Sequence, residues 1–169
     1  MLRRIRLWLI LPLLLTTCRP PATGDPLSVG RQHVEASQCA GVDRYSEAIA
    51  SLQTALAAEP QRLEAYYWLY LAHTRSGNDA QADQILADLE AAVAREEAAP
   101  EGVFWLLRLY GEVGDLSAQS RALSELEAAA QANPSDGEVH FWLGRARYEM
   151  DQWEPALQSF QSAVTMQPE

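Results

Sequence analysis

The chain has 169 residues and no Lys; its 13 basic residues, all Arg, face 23 Asp and Glu for a formal net charge of −10. Setting aside the basic residues 1–17 leaves 10 Arg against the same 23 acids, which argues against a phosphate-neutralising nucleic-acid surface and against a basic patch on anionic lipid. The remaining body is long enough for one domain with a hydrophobic core.

Residues 1–17 open with Arg3, Arg4 and Arg6 and run into an apolar stretch, 7–15, interrupted by Pro12. A spanning helix needs roughly 20 apolar residues, so this shorter run is expected to be the hydrophobic region of a signal peptide. Leu15-Thr16-Thr17-Cys18 follows directly. It resembles the lipobox of bacterial lipoproteins, with Thr17 where that family usually carries Gly, Ala or Ser. The resemblance implies that Cys18 is lipidated as the first residue of the exported protein. Acyl chains contribute about 0.8 kcal/mol per buried CH₂, so two or more hold a protein stably on a bilayer. Pro20 and Pro21 disfavour cleavage around Ala22, and 18–28 is expected as a flexible tether. Arg19 stands where an Asp would signal inner-membrane retention. By resemblance, the address is the outer membrane of a bacterial cell envelope, facing the periplasm. Cys39 then has no intrachain partner and, on an apolar helical face, is expected as a small buried hydrophobe.

Beyond the tether one pattern dominates. Glu-x-x-aromatic-Trp-Leu occurs at 64–69, 101–106 and 138–143, and the steps between Trp68, Trp105 and Trp142 are both 37 residues. Self-similarity at such a period marks a repeat architecture. Each motif opens a helix that ends in a turn: Ser76-Gly77-Asn78, Val113-Gly114-Asp115 and Met150-Asp151-Gln152. Second helices are predicted over 80–97, 116–132 and 153–166, where apolar residues such as Ala82, Leu86, Leu89 and Val93 recur at helical spacing. Pro60, Pro100, Pro134 and Pro168 are read as their stops.

These units resemble the tetratricopeptide repeat (TPR), a helix-turn-helix of about 34 residues. Gly144, Trp153, Ala156, Phe160, Ala163 and Pro168 stand at family spacing. Ala36, Tyr45, Ala48, Leu52, Ala55 and Pro60 repeat those slots 108 residues earlier. The resemblance implies an all-α solenoid of four units: 29–62, 63–99, 100–136 and 137–169. The two middle units step by 37 residues and are expected to have second helices about one turn longer. Each unit cannot bury its face alone, so stacking supplies the core.

No residue pattern points to catalysis. His33, His73 and His140 form no metal-spaced pair, no Gly-rich phosphate loop occurs, and nucleophile settings are absent. No cofactor and no metal are expected. His73 stands at a core-type slot shared with Tyr110 and Arg147. Runs such as Glu96-Glu97 read as solvated faces.

The TPR resemblance implies that first helices line a concave groove. Its groove slots carry over onto Glu64, Tyr67, Leu71, Thr74 and Arg75 in the second unit. In the third they fall on Glu101, Phe104, Arg108, Gly111 and Glu112. In the fourth they fall on Glu138, Phe141, Arg145, Tyr148 and Glu149. Aromatic and Arg residues carry much of the energy at interfaces. Tyr67, Phe104 and Phe141 are read either as groove floor or as plain packing. Trp68, Trp105 and Trp142 are read as inter-helix packing, and Glu64, Glu101 and Glu138 as first-turn acids favoured by the helix dipole.

The expected function is a non-catalytic, lipid-anchored envelope scaffold that binds a client protein or peptide, by analogy an assembly factor. Phe160, Ala163, Val164 and Met166 are expected to leave the fourth unit's second helix with uncovered apolar surface, where the end pairs with another protein or with itself, or where a longer gene product continues. The alternatives are therefore a self-assembling structural subunit, or an accessory domain of an enzyme or transport complex.

Overall fold

The computed structural model describes residues 24–40, 43–95 and 99–166, without the side chains of 39 and 40. Residues 1–17, expected as a signal peptide, Cys18, the Cys39 side chain, Glu96-Glu97 and Pro168 lie outside the described residues. Within them the chain forms eight α-helices and no strand: α1 (Pro26–Ala40), α2 (Tyr45–Ala58), α3 (Leu63–Arg75), α4 (Asp79–Arg95), α5 (Pro100–Val113), α6 (Leu116–Ala132), α7 (Gly137–Glu149) and α8 (Trp153–Met166). Each odd-numbered helix packs on the even-numbered helix that follows it. It also wedges against both helices of the unit before: α3 on α1 and α2, α5 on α3 and α4, α7 on α5 and α6. Contacts run only between neighbouring units, which is the stacking logic of a solenoid.

Local chemistry fixes the boundaries. Asp115 caps α6 by accepting from Ala118 N–H at 2.9 Å, and Asp136 caps α7 by accepting from Glu138 N–H at 2.9 Å. The middle second helices, α4 and α6, have 17 residues against 14 in α2 and α8, the extra turn expected from the longer step. Two expectations need correction. The flexible tether is expected over 18–28, yet α1 already begins at Pro26, because Ser28 N–H donates to Asp25 Oδ2 at 3.3 Å and Pro suits the first helical position. Asp25 also pairs with Arg62 just before α3, tying this end to the stack. Pro100 likewise starts α5 instead of stopping α4.

The three inter-helix turns close alike. Asn78, Asp115 and Gln152 each donate a backbone N–H to the carbonyl five residues back (His73, Tyr110, Arg147) at 2.9 Å. The residue before each is left-handed: Gly77 at φ +77°, Gly114 at +81° and Asp151 at +58°. A Cβ at Gly77 or Gly114 would touch nothing, so the cost of a side chain there is purely backbone. Gly114→Ala should therefore cost about 1 kcal/mol, and Asp151→Gly should recover up to about that much, read as opposite shifts of the urea midpoint.

Small residues let helices cross closely within units. Ala48, Ala82 and Ala156 are all buried, and Leu52, Leu89, Leu107, Leu109 and Phe104 are sealed from solvent. His73 is buried in this core, and its Nδ1 has no partner among the described residues. Burial holds its pKa below the usual 6.5. The unfolded chain therefore binds a proton first as pH falls, so stability is full above about pH 6.5 and declines beneath it. The urea midpoint should drop between pH 7.5 and 5.5, and His73→Gln should flatten that drop.

Candidate partner-binding face

The repeated hexapeptide has a physical reason. In each copy the Glu carboxylate accepts the indole N–H of the Trp four residues on: Trp68 to Glu64 at 2.9 Å, Trp105 to Glu101 at 3.1 Å, Trp142 to Glu138 at 3.4 Å. An unpaired indole N–H in a packed setting would be costly, so the acid does more than favour the helix dipole.

With their polar edges satisfied, the indoles build a continuous aromatic ladder. Within each unit the rings stand edge to face, Tyr67–Trp68 at 5.2 Å, Phe104–Trp105 at 5.1 Å and Phe141–Trp142 at 5.2 Å between centroids. Between units Tyr67 meets Trp105 at 5.6 Å and Phe104 meets Trp142 at 5.2 Å. Aromatic pairs at these separations contribute about 0.5–1.5 kcal/mol beyond their burial.

The arginines roof this ladder. The Arg108 guanidinium lies 4.1 Å from the Tyr67 ring centroid, and Arg145 lies 4.3 Å from that of Phe104. Each Arg thus covers the aromatic residue of the preceding unit. Tyr67 is consequently 3% exposed and Phe104 0%, so both are packing residues, whereas Phe141 is 43% exposed. Of the three-residue row, only Phe141 is open to a partner.

Charges on this face are partly internal. Tyr67 O–H donates to Glu112 at 3.1 Å and accepts from Arg108 at 3.0 Å, while Arg108 Nε faces Glu149 at 3.4 Å. Burial pushes the Tyr67 phenol up, so it stays protonated as a donor. Arg145 differs: among the described residues it makes no ion pair, and burial followed by repulsion from Arg108 lowers its pKa. It lines a cleft of about 280 Å³ with Tyr148, Glu149 and Phe160. Tyr148 is 56% exposed, its ring edge-on to Trp153 at 4.9 Å. Arg75 is exposed. The candidate residues thus divide: Tyr67, Phe104 and Arg108 form an internal lattice, while Phe141, Arg145 and Tyr148 cluster at the fourth unit.

A second lattice runs along the opposite side of the first helices. Tyr110 O–H donates to Glu90 at 2.9 Å; that acid and burial raise its pKa to about 12, burial contributing most. One unit on, Arg147 donates to Glu127 and to Ser159 Oγ, both at 2.9 Å. These pairs escaped the sequence reading, although Glu90/Glu127 and Tyr110/Arg147 share the 37-residue step. Of the apolar residues expected to be uncovered on α8, Ala163 is buried, Phe160 is half-buried, and Val164 and Met166 are exposed. Among the described residues no group of His, Cys, Asp or Glu could hold a metal ion, and no helix is long and apolar enough to cross a membrane.

Two tetratricopeptide-repeat family models match the chain, over residues 41–101 and 120–169, together about two thirds of its length. Among solved structures it is similar to a thermophilic TPR protein of Thermus thermophilus, at 25% identity over 84% of this chain and 73% of that one, with a TM-score of 0.45. It is also similar to MamA MSR-1, at 26% identity over 82% and 73% of the two chains and a TM-score of 0.38. A MamA mutant matches at 24% identity over 85% and 72%, with a TM-score of 0.39. No curated protein matches. Helix-turn-helix units stacked neighbour on neighbour, matched by these family models at both ends of the array, make this chain a tetratricopeptide-repeat protein.

Proposed function

We propose that the protein is a non-catalytic scaffold of a bacterial cell envelope, held by acylated Cys18 in the outer membrane facing the periplasm. It binds a client protein or peptide through the concave face of its fourth unit. Repeats of this family typically serve protein–protein interaction. The observation that carries the reading is the cluster of exposed Phe141 and Tyr148 around Arg145, a half-buried guanidinium without an ion-pair partner among the described residues. Aromatics beside a desolvated Arg have the composition of an interface hot spot. The signal-like start and Leu15-Thr16-Thr17-Cys18 supply the address.

In-cell crosslinking and affinity capture of the anchored protein test this reading, beside a Tyr148→Ala form that leaves the core untouched. Loss of a captured heterologous protein in Tyr148→Ala supports the groove; equal capture by both forms rejects it. Separately, Cys18→Ser should abolish incorporation of labelled fatty acid and release the protein from membranes. Unchanged labelling would reject the lipid anchor.

A further inference from the structure

Where α5 packs on the second unit and α7 on the third, the contacts share a pattern that α7 and α8 leave unanswered; α3, with Leu71, His73 and Arg75 at these slots, does not take part in it. On α5 the rule is written Arg108-x-Tyr110-x-Glu112, and on α7 Arg145-x-Arg147-x-Glu149. The Arg covers the preceding unit's aromatic ring, Tyr67 or Phe104. The middle residue bonds to the acid of the preceding second helix, Glu90 or Glu127. The closing Glu reaches back to the preceding unit's groove: Glu112 to the Tyr67 hydroxyl, Glu149 to Arg108.

Shifting the contacted positions by one more 37-residue step lands on Phe141, Arg145 and Val164, which lack these particular contacts among the described residues. Phe141 takes the place of Tyr67 and Phe104 and has no guanidinium over it. Arg145 takes the place of Arg108 and has no carboxylate. Val164 takes the place of Glu90 and Glu127 and is 74% exposed. The first two positions keep the chemistry of the rule; the third changes it from acid to aliphatic.

We propose that the face formed by α7 and α8 docks a helix of a partner protein that presents an Arg, an aliphatic residue two positions on and a Glu four positions on. The Arg stacks on Phe141, the Glu pairs with Arg145, and the aliphatic residue meets Val164. The surface continues the established α5–α7 interface, and its charge requirement is set by the unanswered Arg145. Burial already disfavours the Arg145 charge, so an incoming carboxylate relieves a cost the free protein carries. This inference specifies the partner of the scaffold proposed above and rests on that reading, sharing Phe141 and Arg145 with it and adding Val164.

The probe is a helix-stapled peptide with the sequence of 137–149 and the change Arg147→Leu, carrying a photoreactive leucine at that position. It is irradiated with the full-length protein. The expected adducts fall on α8 at or beside Val164. They should decrease at least about thirtyfold in Arg145→Glu, the low end of the scale on which losing one partner of a desolvated pair acts. They should return when the peptide's Glu149 is changed to Arg. Val164→Asp, a surface change that spares the fold, should also abolish them. Adducts scattered over the protein, indifference to Val164→Asp, or failure of the charge swap to restore labelling would overturn the proposal. So would concentration-dependent self-association of the full-length protein that Val164→Asp removes, since a second copy would then occupy the face. None of these outcomes bears on capture through Tyr148, so the two readings fail separately.

Discussion

Phe104→Ala is expected to destabilise the protein by about 3–5 kcal/mol, the loss typical of removing a sealed aromatic ring from a core. Phe104 is 0% exposed; it abuts Trp105 and Trp142 and carries the Arg145 guanidinium on its face. Deleting the ring leaves a cavity and strips the half-buried Arg145 of its platform. Phe141→Ala, at the equivalent position one unit on, should cost only about 1–2 kcal/mol, because a half-exposed ring gives up correspondingly less apolar area. The same substitution at two positions that look alike in sequence thus separates core from surface. Urea unfolding monitored by far-ultraviolet circular dichroism measures both. Equal losses would show that the ring of Phe104 is not covered as described. For partner capture the order inverts, since Phe141 is the ring still open to a ligand.

That inversion shows where sequence reading reached and where it stopped. The helices were legible because their causes are local. The Trp step fixed the period, and 116–132 and 153–166 were expected where α6 and α8 lie, since their apolar spacing and flanking turns sit in contiguous residues. The fate of the aromatic row was not legible. Whether Tyr67 is floor or core depends on Arg108, which lies 41 residues away and belongs to the next unit. The Glu–Trp bonds were within reach, because an acid and an indole four apart share one helix face. The tether boundary failed for a different reason: Asp25-Pro26 reads equally as linker chemistry and as a cap followed by a first helical residue, and the Asp25–Arg62 ion pair that settles it spans 37 residues. Asp151 carries the left-handed turn that Gly77 and Gly114 carry elsewhere, so a glycine search alone finds only two of the three turns.

Gly144→Leu should cost about 3 kcal/mol, the upper part of the range for overpacking, and Phe160→Leu added to it should restore much of the loss. A Cβ at Gly144 would stand 2.7 Å from the Phe160 ring carbons Cδ1 and Cε1. The collision is with the body of the ring and not with a flexible tip, so the ring must leave its place on α8 to admit any larger residue. The equivalent sequence positions carry Leu107 and Leu123 in the third unit and Tyr70 and Leu86 in the second, whereas in the first unit Leu52 packs against Gly30. Gly144→Leu with Phe160→Leu rebuilds the third unit's pair inside the fourth. The double variant is therefore expected nearer the parent than the single one, with a coupling energy well above the few tenths of a kcal/mol of independent sites. Additive losses in urea unfolding would show that the two positions do not share one volume. The single change carries a second readout. Phe160 lines the cleft beside Arg145 and lies 6.2 Å from Phe141, so displacing its ring should also weaken partner capture, and the double variant should recover less of that function than of its stability.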